Sequence, residues 1–186
     1  MRIPKFLIKL ASKIYITKNI PFFMYNPEFH KLKGFEIRQI LNLMRPYDIL
    51  LRRHNGYLNG LAIPGYWMHV ALVLPDGRIA NSTKYGVISE DILDWFRCDC
   101  CSLLRPNISV DLNYVAKKAT SMLDNNTKYD YEFSADNGKV YCTEFIDICY
   151  ENIFKHSYKN INGSNILLPD GLYNSKLLDE LITFKH

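Results

Sequence analysis

The stretch His69-Val-Ala-Leu-Val-Leu74 limits the fold more than any other part of this chain. It is an unbroken apolar run of strand length, and Pro75-Asp76-Gly77 follows at once. Such a run, stopped by turn residues, reads as a buried strand. The Pro-Asp-Gly stop reverses the chain, so Arg78 to Ser82 reads as its antiparallel partner. A hairpin in the middle of a chain commits the rest to building a sheet around it and covering its faces.

Other segments fit that plan. Asp48-Ile-Leu-Leu-Arg52 and Cys101-Ser-Leu-Leu-Arg105, the latter closed by Pro106, read as further strands, with a shorter one at Val87–Ile88. Apolar residues at helical spacing predict amphipathic helices over 4–16, 111–123 and 142–154. Shorter helices are expected over 36–44, stopped near Pro46, over 89–96, and at the end over 175–182. Pro21 and Pro27 bracket an aromatic loop; residues 54–67 and 125–139 carry turn residues and read as loops. Strands gather in the middle and helices flank them, which is the α+β class. At 186 residues the chain is one domain in length, with an N-terminal helical segment over 1–43 and the main body over 44–186.

Hydrophobic residues make up 48% of the chain, a globular composition. The net charge is +4 with no long Lys/Arg run, so nucleic acid is not an expected partner. Five cysteines, three of them crowded into Cys98-Asp-Cys-Cys101, read as reduced thiols in a cytoplasmic protein. Zinc sites usually take a second cysteine or histidine pair far along the chain, and none is present, so neither metal nor cofactor is expected. Lys5, Lys9 and Lys13 interrupt the opening apolar run, which argues against a secretory signal. The same helix, basic on one side, is a candidate for peripheral contact with an anionic membrane surface.

Two residues stand where chemistry is easiest to build. Cys142 opens a helical stripe directly after an extended Val140-Tyr141, and a helix start favours thiolate through the dipole and its unpaired N–H groups. His69 opens the strongest strand after a Gly/Pro-rich loop. Imidazole beside thiol is the pairing that nucleophilic acyl transfer needs. A third group should hold the ring; Asn81 on the partner strand is the first choice and Ser82 the neighbour one register step away.

Four segments then carry a resemblance: Arg45-Pro-Tyr-Asp-Ile-Leu-Leu-Arg52, Pro64-Gly-Tyr-Trp-Met-His-Val-Ala-Leu-Val-Leu-Pro-Asp-Gly77, Leu104-Arg-Pro106, and Tyr129-Asp-Tyr131 with Tyr141-Cys-Thr-Glu-Phe145. Leu168-Pro-Asp170 fits the same pattern. In order and spacing the chain resembles the circularly permuted papain-like amidases of the NlpC-type superfamily, the YiiX/YaeF-like branch. Tyr47 stands where that family usually has glycine, and Asn81 where many relatives carry glutamate. The resemblance implies a central antiparallel sheet or partial barrel packed against helices. It implies a cysteine hydrolase acting on an amide, with an acyl, lipid or peptide substrate. Tyr129, or alternatively Tyr131, would donate to the oxyanion; Glu144 in the first turn of the cysteine helix would cap it or touch substrate. Tyr66 and Trp67, with the rest of loop 54–67, would line an acyl pocket beside His69. Two other readings share the fold: an inactive peptide- or lipid-binding module, and an acyltransferase.

Overall fold

The computed structural model describes residues 30–55, 64–134, 137–161 and 163–186, and the backbone of two short strands before them. Met1–Lys31 and Leu32–His186 form separate compact units. In the first, β1 (Ile14–Ile16) pairs antiparallel with β2 (Phe23–Tyr25). The helix expected over 4–16 is thus replaced at its end by a strand, where Ile-Tyr-Ile favours extended backbone and a partner is at hand. Residues 4–13 lie outside the described part.

The second unit holds a six-stranded antiparallel sheet in the order β10-β7-β3-β4-β5-β6. Its strands are β3 (Ile49–Arg53), β4 (His69–Val73), β5 (Ile79–Thr83), β6 (Gly86–Glu90), β7 (Cys100–Pro106) and β10 (Leu178–Phe184). Between them run α1 (Gly34–Leu43), α2 (Ile92–Trp95), α3 (Leu112–Asp124), α4 (Cys142–Cys149), the hairpin β8 (Tyr158–Ile161) and β9 (Ser164–Leu167), and α5 (Pro169–Tyr173). The class is α+β, a large antiparallel sheet packed against helices.

Both faces of the sheet are covered, which is why its strands read as apolar runs rather than alternations. Ile49, Leu51, Val70, Leu72 and Leu104 face α3 and α4 and meet Val115, Ala119, Phe145 and Ile146. Leu50, Ala71, Val73, Ile79 and Leu103 face the other way, with Ile40 of α1 and Trp95 of α2. Helix starts follow the expected chemistry: Asp91 and Asp111 cap α2 and α3 by accepting from Leu93, and from Asn113 and Tyr114.

The helix expected over 175–182 is a strand. Leu177, Leu178, Leu181 and Ile182 have helical spacing, but β10 takes the free edge of β7, with a bulge between Glu180 and Ile182 that breaks the simple alternation. Helix α4 is also shorter than its apolar stripe. It ends at Cys149, and Asp147 accepts from the Phe154 N–H at 2.9 Å to hold the turn that follows.

At Tyr47 the backbone takes φ +68°, the left-handed region that favours glycine. The tyrosine is retained in that conformation by its neighbours: its N–H donates to the Val73 carbonyl at 2.7 Å, and its carbonyl accepts from the Tyr150 hydroxyl. Next to it, Asp48 is buried and takes a two-pronged bond from Arg105, both at 2.7 Å, plus the Arg45 N–H.

Candidate active site

Strands β4 and β5 pair at Leu72–Ala80 and Val73–Ile79, and the ladder stops there. Alternate amides of β4 point toward β5, so the next one in line belongs to Val70. Continued pairing would hand it to Ser82. Instead the Val70 N–H lies near the Cys142 sulfur and helps to pull its thiol down. The first residue of α4 therefore places its thiol at the mouth of a split between two strands. Ser82 is not idle: its hydroxyl donates to the Val140 carbonyl at 2.7 Å, tying β5 to the residue two before the cysteine.

His69 and Asn81 meet across the same split. His69 Nε2 lies 2.9 Å from Asn81 Oδ1, which leaves Nδ1 as the free base when Nε2 carries the proton. Asn81 is fully buried and its Nδ2 has no partner among the described residues. The His69 ring packs 5.5 Å from the Trp95 ring, and the Arg52 guanidinium sits 4.1 Å from the Trp95 ring centroid while reaching Glu90 at 3.4 Å. The imidazole and Asn81 thus sit with the α2 side of the sheet, while Cys142 packs with Val70 and Phe145 on the α4 side. No hydrogen bond joins the Cys142 sulfur to His69 among the described residues.

Electrostatics keep both groups neutral at rest. Burial pushes the Cys142 thiol up to about 11, against the pull of the Thr143, Val70 and Cys142 amides and of Arg52. The helix start favours thiolate as its position suggests, and desolvation outweighs it. Burial, then the Arg52 charge, lower the His69 imidazole to about 3, with the Asn81 bond opposing.

Cys142 lines a cavity of about 410 Å³. Its walls are largely apolar: Met68 from the histidine strand's approach, Tyr129 and Phe133 from the loop before α4, and Ile161, Ile166 and Leu168 from the β8–β9 hairpin and its exit. Among the described residues, Glu132 is its one carboxylate. Tyr129 is half-buried there, with its phenol held neutral by burial and by the nearby Cys142. Tyr131 packs tilted against Tyr129 at 4.7 Å between centroids but points outward, 66% exposed. Glu144 accepts from the Tyr141 N–H at 3.3 Å and closes the start of α4. Tyr66 and Trp67 pack elsewhere: Tyr66 donates to the Cys100 sulfur at 3.0 Å, and Trp67 is buried against Tyr66 and Tyr173. From loop 54–67, Pro64 contributes to the cavity, and residues 56–63 lie outside the described part.

Sequence reasoning missed four contributors. Arg52 and Trp95, which surround His69, looked like ordinary strand and helix residues. The β8–β9 hairpin had a signal, the Asn162-Gly163 dipeptide between two short apolar runs. Asp170 had one too. Its carboxylate accepts from the Tyr66 and Trp67 N–H groups at 2.8 and 2.7 Å, and Gly65, at φ +118°, has no room for a side chain against it. This clamp fixes the approach to His69.

No described helix is long and apolar enough to cross a membrane. Among the described residues no group of three or more His, Cys, Asp or Glu is arranged to hold a metal. No protein-family model matches the chain. One curated relative, the RecBCD enzyme subunit RecC of Buchnera aphidicola, is 24% identical over 169 residues, covering 90% of this chain. The chain spans only 15% of that protein's length. A solved structure, the metalloprotein yiiX of Escherichia coli O157:H7, superposes with a TM-score of 0.60 at 14% identity, over 76% of this chain and 98% of that one. At that identity the likeness is one of fold, and the fold of this chain is YiiX-like.

Proposed function

We propose that this chain is a papain-like cysteine hydrolase of permuted order, cleaving an acyl amide or ester. The observation that carries the reading is the split between β4 and β5, where Cys142 packs with Val70, one residue from His69, and where His69 meets Asn81. In the reaction the Cys142 sulfur attacks the acyl carbon while its proton passes through the split between β4 and β5 to His69 Nδ1, which delivers it to the departing nitrogen or oxygen. Water then cleaves the thioester by the reverse path. The Cys142 N–H and the Tyr129 hydroxyl supply donors for the oxyanion, and Asn81 keeps the imidazole in the useful tautomer. The apolar cavity suits the acyl part.

The test is turnover of p-nitrophenyl acyl esters and acyl amides of graded chain length. Activity should vanish in Cys142→Ala and fall sharply in His69→Ala, with acyl-enzyme trapped on Cys142 by mass spectrometry. Transfer to added amine or alcohol would make it an acyltransferase. One observation favours a second reading, a binding module on the same fold: the thiol and imidazole are shifted in opposite senses, both toward neutrality. Acyl ligands that bind the native chain and Cys142→Ala equally, without turnover, would establish that reading instead.

A further inference from the structure

We infer that Tyr66, Trp67 and Tyr173 form a cation cage, plugged by the chain's own Lys185, that accepts a methylated ammonium group. Lys185 Nζ stands 4.9 Å from the Tyr66 ring centroid, 5.7 Å from Trp67 and 4.8 Å from Tyr173. Three rings thus converge on one nitrogen. The rings brace one another, with Tyr66 edge-on to Trp67 at 5.1 Å and Trp67 tilted to Tyr173 at 5.5 Å. Asp170 fixes two of the three cage residues by accepting from their backbone N–H groups.

The spacing admits a methylated nitrogen. Lys84 and Lys118 hold their ammonium groups 5.0 and 5.4 Å from a single tyrosine ring each, so what distinguishes the cage is that three rings converge at such distances on one nitrogen. A methyl carbon sits about 1.5 Å from its nitrogen and packs on an aromatic carbon at about 3.5–4.0 Å, so a methylated nitrogen belongs roughly 5–5.5 Å from a ring face. The three observed distances lie around that value. Lys185 fills this space poorly: it makes one long bond, 3.4 Å to the Tyr173 hydroxyl, and no ion pair with a described carboxylate. Its side chain is exposed and needs only to rotate away, because β10 holds the backbone up to Phe184 and His186 is tied separately to Cys100 and Asn55. Quaternary ammonium also sheds less hydration than a primary one on entering such a cage.

The test is calorimetric titration of the full chain with choline and with its neutral isostere 3,3-dimethyl-1-butanol. Lys185→Ala should bind choline at least tenfold more tightly than the native chain and should not bind the neutral alcohol. Tyr173→Phe should keep binding in that background and Tyr173→Leu should lose it, with thermal melts confirming that each variant is folded. Lys185→Ala co-sedimenting with phosphatidylcholine vesicles would assign the cage to a lipid head group; choline binding without co-sedimentation would assign it to a free cation. Equal affinity of the native chain and Lys185→Ala, absence of binding to both, or equal binding of the isostere would overturn the inference.

Discussion

The resting charge of Cys142 has a direct consequence for its reactivity. With the thiol near 11, roughly one molecule in ten thousand carries thiolate at pH 7. The ordinary value for this group is 9.0, at which the share is roughly one in a hundred. Simple alkylation needs thiolate and nothing else, so iodoacetamide should modify Cys142 about a hundredfold more slowly than an unhindered cysteine at neutral pH. The rate should rise about tenfold per pH unit from 7 to 10, since every step adds that factor of thiolate. Timed alkylation with peptide mapping reads Cys142 separately from Cys149, whose thiol burial lifts further still. In urea both should react alike. A Cys142 rate that is high and flat between pH 5 and 8 would mean a standing thiolate–imidazolium pair. The argument that desolvation outweighs the three amides and the helix start would then be wrong.

Other outcomes follow from the same structure. His69, lowered to about 3, stabilises the fold fully above the ordinary imidazole value of 6.5 and progressively less as pH falls below it; urea midpoints should therefore show the native chain losing about 1–2 kcal/mol more than His69→Gln between pH 7.5 and 5. Asp170→Ala leaves two N–H groups of the Tyr66–Trp67 segment without their acceptor and should cost about 2–4 kcal/mol in chemical denaturation while also reducing ester turnover. Asp48→Ala strands the Arg105 guanidinium and should destabilise by about 3–5 kcal/mol, whereas the Asp48→Ala/Arg105→Leu pair should recover part of that loss.

Much of the fold was legible because the central strands are apolar runs closed by turn residues, as at Leu74–Gly77. On the partner strand Asn81 was the first choice and Ser82, one register step away, stayed open; in the structure Asn81 lies against His69 and Ser82 turns toward Val140. What was illegible depended on distant partners. The Leu177–Ile182 spacing suits a helix, but the open edge of β7 takes that segment as a strand. Loop 54–67 looked like the pocket wall because it is aromatic and adjoins His69; its Tyr66 and Trp67 instead turn toward Tyr173 and Lys185, and the hairpin from 158 to 167 supplies the wall. The charge of a buried thiol was equally out of reach, since it depends on how deeply α4 sinks against β4.

The broken ladder also gives the molecule a built-in indicator. The Val70 amide lies beside sulfur, a poor acceptor, where its neighbours in the ladder rest on carbonyl oxygens. Anything that changes the sulfur changes that proton first: ionisation strengthens the bond, and esterification by an acyl group weakens it. A single backbone resonance in a nitrogen-resolved spectrum therefore follows the chemical state of the Cys142 sulfur, without any label placed on the cysteine itself.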